Sequence, residues 1–594
     1  MNTKNTWVWF AIAAVLFAGV YGFDRYLRPP PVSIQNILPG LQPSSVTSIE
    51  VIPAGALEIR ANRTNGSWFL SKPISYPAQP AAVETLLAAL QKLAPATKIG
   101  AAELRAHKNA DAEFGFDNPQ WRIAVGDGDQ RRQFSVGNKT APGDQVFLSV
   151  DGVDSVFVAD ASWLKLLPRS ADDWRSSALL DAGENDFDSI MLTNGAKVIE
   201  LQRDPANRLW RMVYPLRARA DGDRITGALQ QLRAAHVAQF VTDDAKADLT
   251  SFGLQPADLD LWLGHDTNFT AAIHTGKSPT NDPAQIYAKR EGWNAIVTTA
   301  GENFAPWHGS VNDWRDPHLL ELVAPVAEIE VHGENDFTLQ RQGTNGWKIA
   351  GEKFPADAAS VQQFIQVLAD MRVAEFVKDA VTAPDLAAYG LAPKPSREII
   401  LRSAVGDSNA VIAQLAFAVQ TNGIFVHRDD EDFIYSVGTE DFNRLGAAGW
   451  EFRDRQVWNF NAKDVAQITL HQDGKTRTMI HDGENQWSLA PGSQGMIMGK
   501  YIEQSAAELG NLVALGWVAR NLTEPEKLGF GTNNLQVTIE LKGGGKLSMD
   551  FGAKISNQTA LASVMLDGER WAFVFPPAPY LFVATYLTIP ANVP

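Results

Sequence analysis

The chain contains 594 residues and carries a formal net charge of −16, with 68 acidic against 52 basic residues. This length is too great for one hydrophobic core and predicts about four domains. The acidic balance argues against binding to nucleic acid, which requires a concentrated basic face. Because cysteine is absent, disulfides, thiolate metal ligands and cysteine nucleophiles are excluded.

A hydrophobic segment without charged residues runs from Trp7 to Phe23, a length of 17 residues. That is the lower limit for crossing a bilayer, and aromatic residues at both ends resemble interfacial belts. A cleaved signal peptide is the alternative, but the run is long for a signal core and no Ala-x-Ala site follows it. We therefore predict a transmembrane anchor at residues 7–23, in a single-pass protein of a bacterial inner membrane with its bulk in the periplasm. The balance of basic residues around the segment does not decide its orientation.

The segments that flank the repeats are assigned from this anchor and from proline content. Residues 1–28 are interpreted as a cytoplasmic tip and the anchor. Residues 29–45 contain five prolines and are predicted to form a stiff, extended spacer.

Two sets of residues recur along the rest of the chain with one period. A tryptophan that closes a strand-like run recurs at spacings of 142, 137 and 140 residues, and a glycine in a short turn at spacings of 138, 137 and 139 residues. The tryptophans are Trp68, Trp210, Trp347 and Trp487, and the glycines are Gly115, Gly253, Gly390 and Gly529. These anchors predict four tandem repeats, which we place at residues 46–183, 184–322, 323–462 and 463–594.

Each repeat is predicted to begin with paired strands and to continue into one helix. Apolar residues in the first three helices keep the i, i+3, i+4, i+7 spacing of a one-sided amphipathic helix, as at Val361, Phe364, Ile365 and Leu368. The fourth helix keeps the spacing with smaller side chains. The predicted fold class is therefore α+β: a transmembrane helix followed by four repeats of mostly antiparallel strands with one main helix each, the last repeat acting as a cap.

A Trp-Arg pair ends the first two repeats, at Trp174-Arg175 and Trp314-Arg315, and Arg453 belongs to a relic of it. Periodic aromatic residues are core or interface positions before they are binding surfaces. We hypothesise that the tryptophan packs on the next domain while the arginine pairs with a carboxylate.

Short motifs that resemble nucleotide, cation or metal sites are explained better as structural positions of the chain. Gly276-Lys277-Ser278 resembles the end of a phosphate-binding loop, but other repeats carry a similar turn in register, so we predict no nucleotide. The acidic run at residues 429–432 lacks the glycine turn of a cation loop and is interpreted as a solvated hairpin tip. The histidines lack metal-site spacing. We predict no catalytic residue, no cofactor and no metal.

The strand-closing tryptophan, the helix and the Tyr389-Gly390-Leu391 turn together resemble a bacterial tandem-repeat family of unknown function. Members resemble auxiliary components of gliding-motility-type ABC transport systems, so the resemblance implies a non-enzymatic, membrane-anchored binding or scaffold protein. Its implied partners are an ABC-2-type permease and associated envelope proteins, and no nucleic acid. Two alternatives stay open: a cell-envelope polysaccharide-binding protein, which needs rows of exposed tryptophan, and an enzyme with paired carboxylates between repeats.

Overall fold

The structure is a computed structural model that describes residues 3–22, 36–107, 109–128, 130–180, 187–322, 324–403 and 410–589. The chain divides into two units, Met1–Arg315 and Asp316–Pro594. The first unit contains repeat 1 and repeat 2 up to Arg315, and the second contains repeats 3 and 4.

The N-terminal apolar segment forms helix α1, Thr3–Gly22. Within the described residues, the chain has no helix whose length and apolar character suffice to span a bilayer. The predicted transmembrane anchor and the single-pass inner-membrane location are therefore wrong. The physical reason is the length of the apolar run, because the charge-free part of α1, from Trp7 to Gly22, rises about 24 Å, against a hydrocarbon core of about 30 Å. Phe23 and residues 24–35, with most prolines of the predicted spacer, lie outside the described residues.

Repeat 1 forms one antiparallel sheet of nine strands, in which the chain order and the spatial order differ. Its strands are β1 (Ser48–Pro53), β2 (Ile59–Thr64), β3 (Ser67–Lys72), β4 (Tyr76–Pro77), β5 (Thr97–Gly100), β6 (Trp121–Asp127), β7 (Gln130–Lys139), β8 (Gln145–Val150) and β9 (Ser155–Asp160). They lie in the order β4-β3-β2-β1-β6-β7-β8-β9-β5. Helix α2 (Pro80–Gln91) joins the two edge strands, and two short helices follow, α3 (Ala101–Leu104) and α4 (Ala110–Phe114). Since α2 runs from one edge of the sheet to the other, its apolar stripe faces the sheet.

Repeat 2 has the same arrangement in the first unit. Its strands are β10 (Ser189–Asn194), β11 (Lys197–Arg203), β12 (Trp210–Tyr214), β13 (Ala218–Arg219), β14 (Val237–Thr242), β15 (Leu259–His265), β16 (Asn268–Thr275), β17 (Gln285–Arg290) and β18 (Ile296–Ala300), with helix α5 (Gly222–Arg233). Their order is β13-β12-β11-β10-β15-β16-β17-β18-β14.

Repeat 3 opens the second unit with the same strand order. Its strands are β19 (Val326–His332), β20 (Phe337–Gln342), β21 (Gly346–Ile349), β22 (Pro355–Ala356), β23 (Val373–Asp379), β24 (Arg397–Ser403), β25 (Ala410–Gln420), β26 (Gly423–Arg428) and β27 (Phe433–Val437). Its helices are α6 (Ala358–Asp370), α7 (Ala383–Ala388) and α8 (Thr439–Asn443). The strands lie in the order β22-β21-β20-β19-β24-β25-β26-β27-β23.

Repeat 4 departs from the pattern at both of its ends. Its strands are β28 (Gln456–Asn459), β29 (Val465–Gln472), β30 (Lys475–Gly483), β31 (Gln486–Leu489), β32 (Asn511–Val513), β33 (Gly516–Ala519), β34 (Gln536–Leu541), β35 (Lys546–Ser556), β36 (Thr559–Leu566) and β37 (Glu569–Val574). Eight of them form the sheet β31-β30-β29-β34-β35-β36-β37-β33, while β28 pairs with β32. The helices are α9 (Gly499–Gly510) and α10 (Pro577–Phe582), and a π-helical turn follows at Val583–Leu587.

The main helix of each repeat buries the side chains that its spacing predicts. In α6 these include Val361, Phe364, Ile365 and Leu368. Each fully buried side chain of this kind contributes about 1.5–3 kcal/mol relative to exposure. The predicted fold class is corrected to a chain of mostly antiparallel sheets, without a membrane-spanning helix in the described residues.

Candidate functional site

In repeats 1 and 4 the strand-closing tryptophan contacts two side chains, and we call these three positions, in every repeat, the Trp cluster. Its second member stands opposite the tryptophan on the neighbouring strand, and its third lies on the main helix, 15 or 16 residues after the tryptophan. The clusters are Arg63, Trp68 and Glu84; Arg203, Trp210 and Thr226; Arg341, Trp347 and Gln362; and His481, Trp487 and Glu503. The four tryptophans are only 2%, 5%, 8% and 8% exposed, so all four are core residues.

In repeat 1 a carboxylate closes the cluster. The indole Nε1 of Trp68 donates to Glu84 Oε1 at 2.8 Å. The guanidinium of Arg63 donates to the same oxygen. Its carbon Cζ lies 4.7 Å from the centre of the Trp68 ring. A further hydrogen bond of 2.8 Å joins Arg63 to the carbonyl of Ser44, in the segment that precedes the sheet.

Repeat 4 reaches the same arrangement with histidine as the basic residue. Trp487 Nε1 donates to Glu503 Oε2 at 2.9 Å. The His481 ring stacks on Trp487 with centroids 4.4 Å apart. His481 Nε2 lies 3.0 Å from Glu503 Oε2, although the angle is not that of a hydrogen bond. An internal glutamate therefore fills the same position in two repeats.

Repeat 3 replaces that glutamate by Gln362, and its cluster is open. The guanidinium of Arg341 donates to the carbonyl of Thr344 at 2.7 Å. Within the part of the chain that the structure describes, no carboxylate pairs with Arg341 and no acceptor receives the Trp347 indole hydrogen. In repeat 2 the helix position holds Thr226.

A cavity of about 710 Å³ lies over this open cluster. Its lining comprises Leu322, Ala324, Pro325, Val326, Arg341, Thr344, Asn345, Trp347, Ala358, Ala359, Gln362 and Ile365. Arg341 is the charged side chain of this lining, and apolar side chains form much of the rest. The volume lies within the range of small-ligand sites. The geometry therefore offers a basic, mainly apolar binding cavity that no single motif of the sequence indicated.

The recurring glycines occupy left-handed turns, and in repeats 1, 2 and 4 each turn packs closely against the backbone of a second segment of the same repeat. Their φ angles are 84°, 69°, 71° and 76°. In repeat 2 the second turn is Gly276-Lys277, and Lys277 N donates to the carbonyl of Phe252 at 3.1 Å. The resemblance of this turn to a phosphate-binding loop therefore arises from close backbone packing.

We expect Gly253→Ala to destabilise repeat 2 more than Gly390→Ala destabilises repeat 3. A Cβ at Gly253 would lie 2.8 Å from Lys277 N, whereas at Gly390 the nearest atom would be the flexible end of Gln420 at 3.2 Å. The left-handed conformation alone costs alanine about 1–2 kcal/mol in each case, and only Gly253 adds a backbone clash. Hydrogen exchange of the two repeats measures the difference, and equal losses would contradict it.

In the first unit Arg175 joins repeats 1 and 2. Its side chain is 1% exposed and pairs with Asp243 of repeat 2 at 2.5 Å and with Asp172 at 3.1 Å. The guanidinium carbon lies 4.4 Å from the ring centre of Tyr76 and 3.7 Å from that of Phe240. Arg175 is therefore held between one aromatic ring of each repeat.

The second unit repeats this arrangement between repeats 3 and 4. The Cζ of Arg453 lies 4.5 Å from the ring centre of Phe354 and 4.6 Å from that of Trp571. Its guanidinium donates to Asp567 Oδ2 at 2.7 Å, and its backbone carbonyl accepts from Trp517 Nε1 at 2.9 Å.

Trp174 and Trp314, which precede Arg175 and Arg315, do not pack on the next domain as we hypothesised. Trp174 and Trp314 are 1% and 0% exposed and belong to the cores of their own repeats. The reason is an isolated bridge between Arg175 and Ala78, which returns the end of the repeat to the start of its own helix. Arg315 is likewise buried and donates to Asn312 at 3.3 Å.

The acidic run at residues 429–432 lies at the tip of the β26–β27 hairpin and holds a buried arginine. Asp430 pairs with Arg428 at 2.5 Å, and Arg428 also donates to the carbonyl of Leu319 at 2.8 Å. Burial alone would lower the pKa of Arg428, but its hydrogen bonds to Asp430 raise it above the usual value. The run is thus partly structural rather than only solvated.

Other candidates for chemistry do not come together in the described residues. No group of three or more His, Asp or Glu side chains there is arranged to hold a metal ion. His471 stands opposite Thr476 on the neighbouring strand. Apart from Trp9 in α1, every tryptophan whose side chain is described is buried or half-buried, so these residues offer no row of exposed tryptophan.

Asp385 gives a pH-dependent test of the loop before α7. Hydrogen bonds from Lys378 and Thr382 lower the pKa of Asp385 from its usual value to about 2. The stabilisation is complete above the unfolded value of about 3.9 and is lost as pH falls through about 2. We expect Lys378→Met to raise the pKa of Asp385, as measured by its ¹³C carboxyl resonance, assigned with Asp385→Asn. A midpoint near the usual value in the wild type would contradict this.

A protein-family model described as "Domain of unknown function (DUF4340)" matches residues 68–208, 210–353 and 347–532, more than half of the chain. The chain belongs to this family. Each match begins at a strand-closing tryptophan, so the family unit runs from one Trp cluster into the following repeat. The resemblance to a tandem-repeat family of unknown function is confirmed, while the match says nothing of transport.

Comparisons with curated proteins and with solved structures do not extend the family assignment. No curated protein matches the chain. Among solved structures, a DNA polymerase sliding clamp from Pseudomonas aeruginosa is similar at 9% identity, over 65% of this chain and 91% of the clamp, with a TM-score of 0.11. The DNA polymerase III subunit beta from Pseudomonas aeruginosa is similar at 8% identity, over 65% and 92%, with a TM-score of 0.12. Likenesses at this level carry no argument about fold or function.

Proposed function

We propose that this chain is a non-enzymatic binding and scaffold protein that serves as an accessory component of an ABC-type transport system. The observation that carries the binding role is the open Trp cluster of repeat 3. A position that Glu84 and Glu503 fill in repeats 1 and 4 opens there into a cavity of about 710 Å³. The lining holds a basic side chain and apolar groups, and it includes no carboxylate for acid–base chemistry.

The scaffold role is supported by the joins at Arg175 and Arg453. Each joins two consecutive repeats within its unit through aromatic rings and a carboxylate. Stacked repeats present an extended surface to a partner. The identity of the partner, an ABC-2-type permease with its ATPase and associated envelope proteins, rests on the family resemblance of the sequence.

Chemical crosslinking of the tagged full-length chain in its source cells, followed by affinity purification and mass spectrometry, tests this function. We expect an ABC-type permease or its ATPase among the crosslinked proteins. Recovery of only glycans or envelope enzymes would contradict the accessory role and favour the polysaccharide-binding alternative.

A further inference from the structure

The Trp clusters of repeats 1 and 4 indicate which chemical group the cavity of repeat 3 accepts. In both clusters a glutamate side chain accepts the indole hydrogen, at 2.8 Å from Trp68 and 2.9 Å from Trp487. In both it also lies beside the basic residue opposite the tryptophan. The fold therefore carries two internal examples of a carboxylate in this position.

Repeat 3 retains the receiving groups without that carboxylate. Trp347 is 8% exposed and lines the cavity, and no described residue accepts a hydrogen bond from its indole. Arg341 lines the same cavity and donates to one backbone carbonyl. The Trp347 Nε1 atom is open to the cavity rather than sealed in the core, and Arg341 is exposed without a counter-charge among the described residues, so an anion that enters the cavity can pair with both.

Asp357, the acidic residue that caps α6, does not supply the missing carboxylate. Asp357 caps α6 by accepting from Ala359 N and Ser360 N, both at 3.3 Å. Its carboxylate also pairs with Arg455 at 2.8 Å. The positive end of the helix is thus already capped, and the inference rests on the Arg341–Trp347 pair.

We propose that the repeat-3 cavity binds a glutamate or aspartate side chain of a partner protein, whose carboxylate takes the position held by Glu84 in repeat 1. A protein side chain is the occupant because the internal examples are glutamate side chains. Apolar residues that flank the acidic residue in the partner fit the lining at Leu322, Pro325 and Ile365. This inference rests on the proposed function only in that the occupant belongs to a partner protein.

Two pools of fluorescein-labelled pentapeptides test the proposal by fluorescence anisotropy with the full-length chain. The pools have Leu, Ile, Val or Pro at the flanking positions and differ only in a central Glu or Gln. We expect the Glu pool to bind at least about tenfold more tightly, a factor that corresponds to about 1.4 kcal/mol. Equal binding of the two pools, or no binding of either, would overturn the proposal.

A variant that supplies the missing carboxylate from the chain itself tests where the site lies. Gln362→Glu restores the residue that repeats 1 and 4 carry, so we expect it to fold and to weaken binding of the Glu pool at least about tenfold. The matched control is Gln363→Glu, which adds the same charge to α6 at an exposed position outside the lining and should bind like the wild type. Unchanged binding by Gln362→Glu would overturn the site. If that variant still crosslinks to the permease as the wild type does, the site fails while the proposed function stands.

Discussion

Replacing Trp314 by alanine is expected to destabilise repeat 2 by about 3–5 kcal/mol, because it removes a large buried aromatic side chain and leaves a cavity. Trp314 is 0% exposed, its ring centre lies 5.3 Å from that of Trp307 with the planes tilted by 32°, and the guanidinium carbon of Arg224 lies 5.1 Å from its ring centre. The effect should appear as faster hydrogen exchange in the strands and helix of repeat 2, since a protein of several domains has no single unfolding free energy.

The control for this variant is Trp262→Ala. Trp262 is half-buried on β15, so its truncation leaves a smaller void. We expect its effect on exchange to be well below that of Trp314→Ala. Unchanged protection of repeat 2 in Trp314→Ala would show that the tryptophan does not support this core.

The second large effect is expected at the join of the first unit. Arg175→Ala removes the guanidinium that lies between Tyr76 and Phe240 and leaves Asp243 without its partner. Asp243 is 38% exposed and can be hydrated, so we expect a loss of about 2–4 kcal/mol, near the lower end for a broken buried ion pair. Because this energy couples two repeats, the change should loosen the segment between them more than either core.

Limited proteolysis and hydrogen exchange of residues 176–180 and 187–189 measure that loosening. Arg169→Ala is the matched control, since it removes the same charge from an exposed position six residues earlier. Equal cleavage of Arg175→Ala and Arg169→Ala would contradict the role of Arg175 as the join between repeats 1 and 2.

The sequence alone predicted much of the repeat but not the chemistry around its anchors. The helix of repeat 3 could be predicted because Val361, Phe364 and Ile365 keep helical spacing. The glycine turns could be predicted because a left-handed turn favours glycine. The α1 prediction went wrong because a short apolar run was interpreted as a membrane span.

The Trp cluster was missed because its members meet only through strand register. The basic residue precedes the tryptophan by five residues in repeat 1 and by seven in repeat 2, so no fixed motif marks it. A signal was nevertheless present, because Glu84 and Glu503 both follow their tryptophans by 16 residues. Thr226 in repeat 2 and Gln362 in repeat 3 depart from this pattern, and Gln362 lines the cavity.

The proposed binding role places recognition of the partner at the open cluster of repeat 3. In repeats 1 and 4 a glutamate closes the cluster, and in repeat 2 the helix position holds Thr226. Repeat 3 instead presents Arg341 and Gln362 to a cavity. We expect partner binding to depend on this repeat rather than on all four.

Site-specific photo-crosslinking in the source cells tests the binding role most directly. A photoreactive residue would replace Thr344, an exposed residue of the cavity lining, and in a second protein Val411, which is exposed on β25 outside that lining. We expect position 344 to crosslink to the ABC-type permease or its ATPase, position 411 not to do so, and Gln362→Glu to abolish the crosslink. Equal crosslinking at both positions, or no permease or ATPase at position 344, would contradict the proposed binding role.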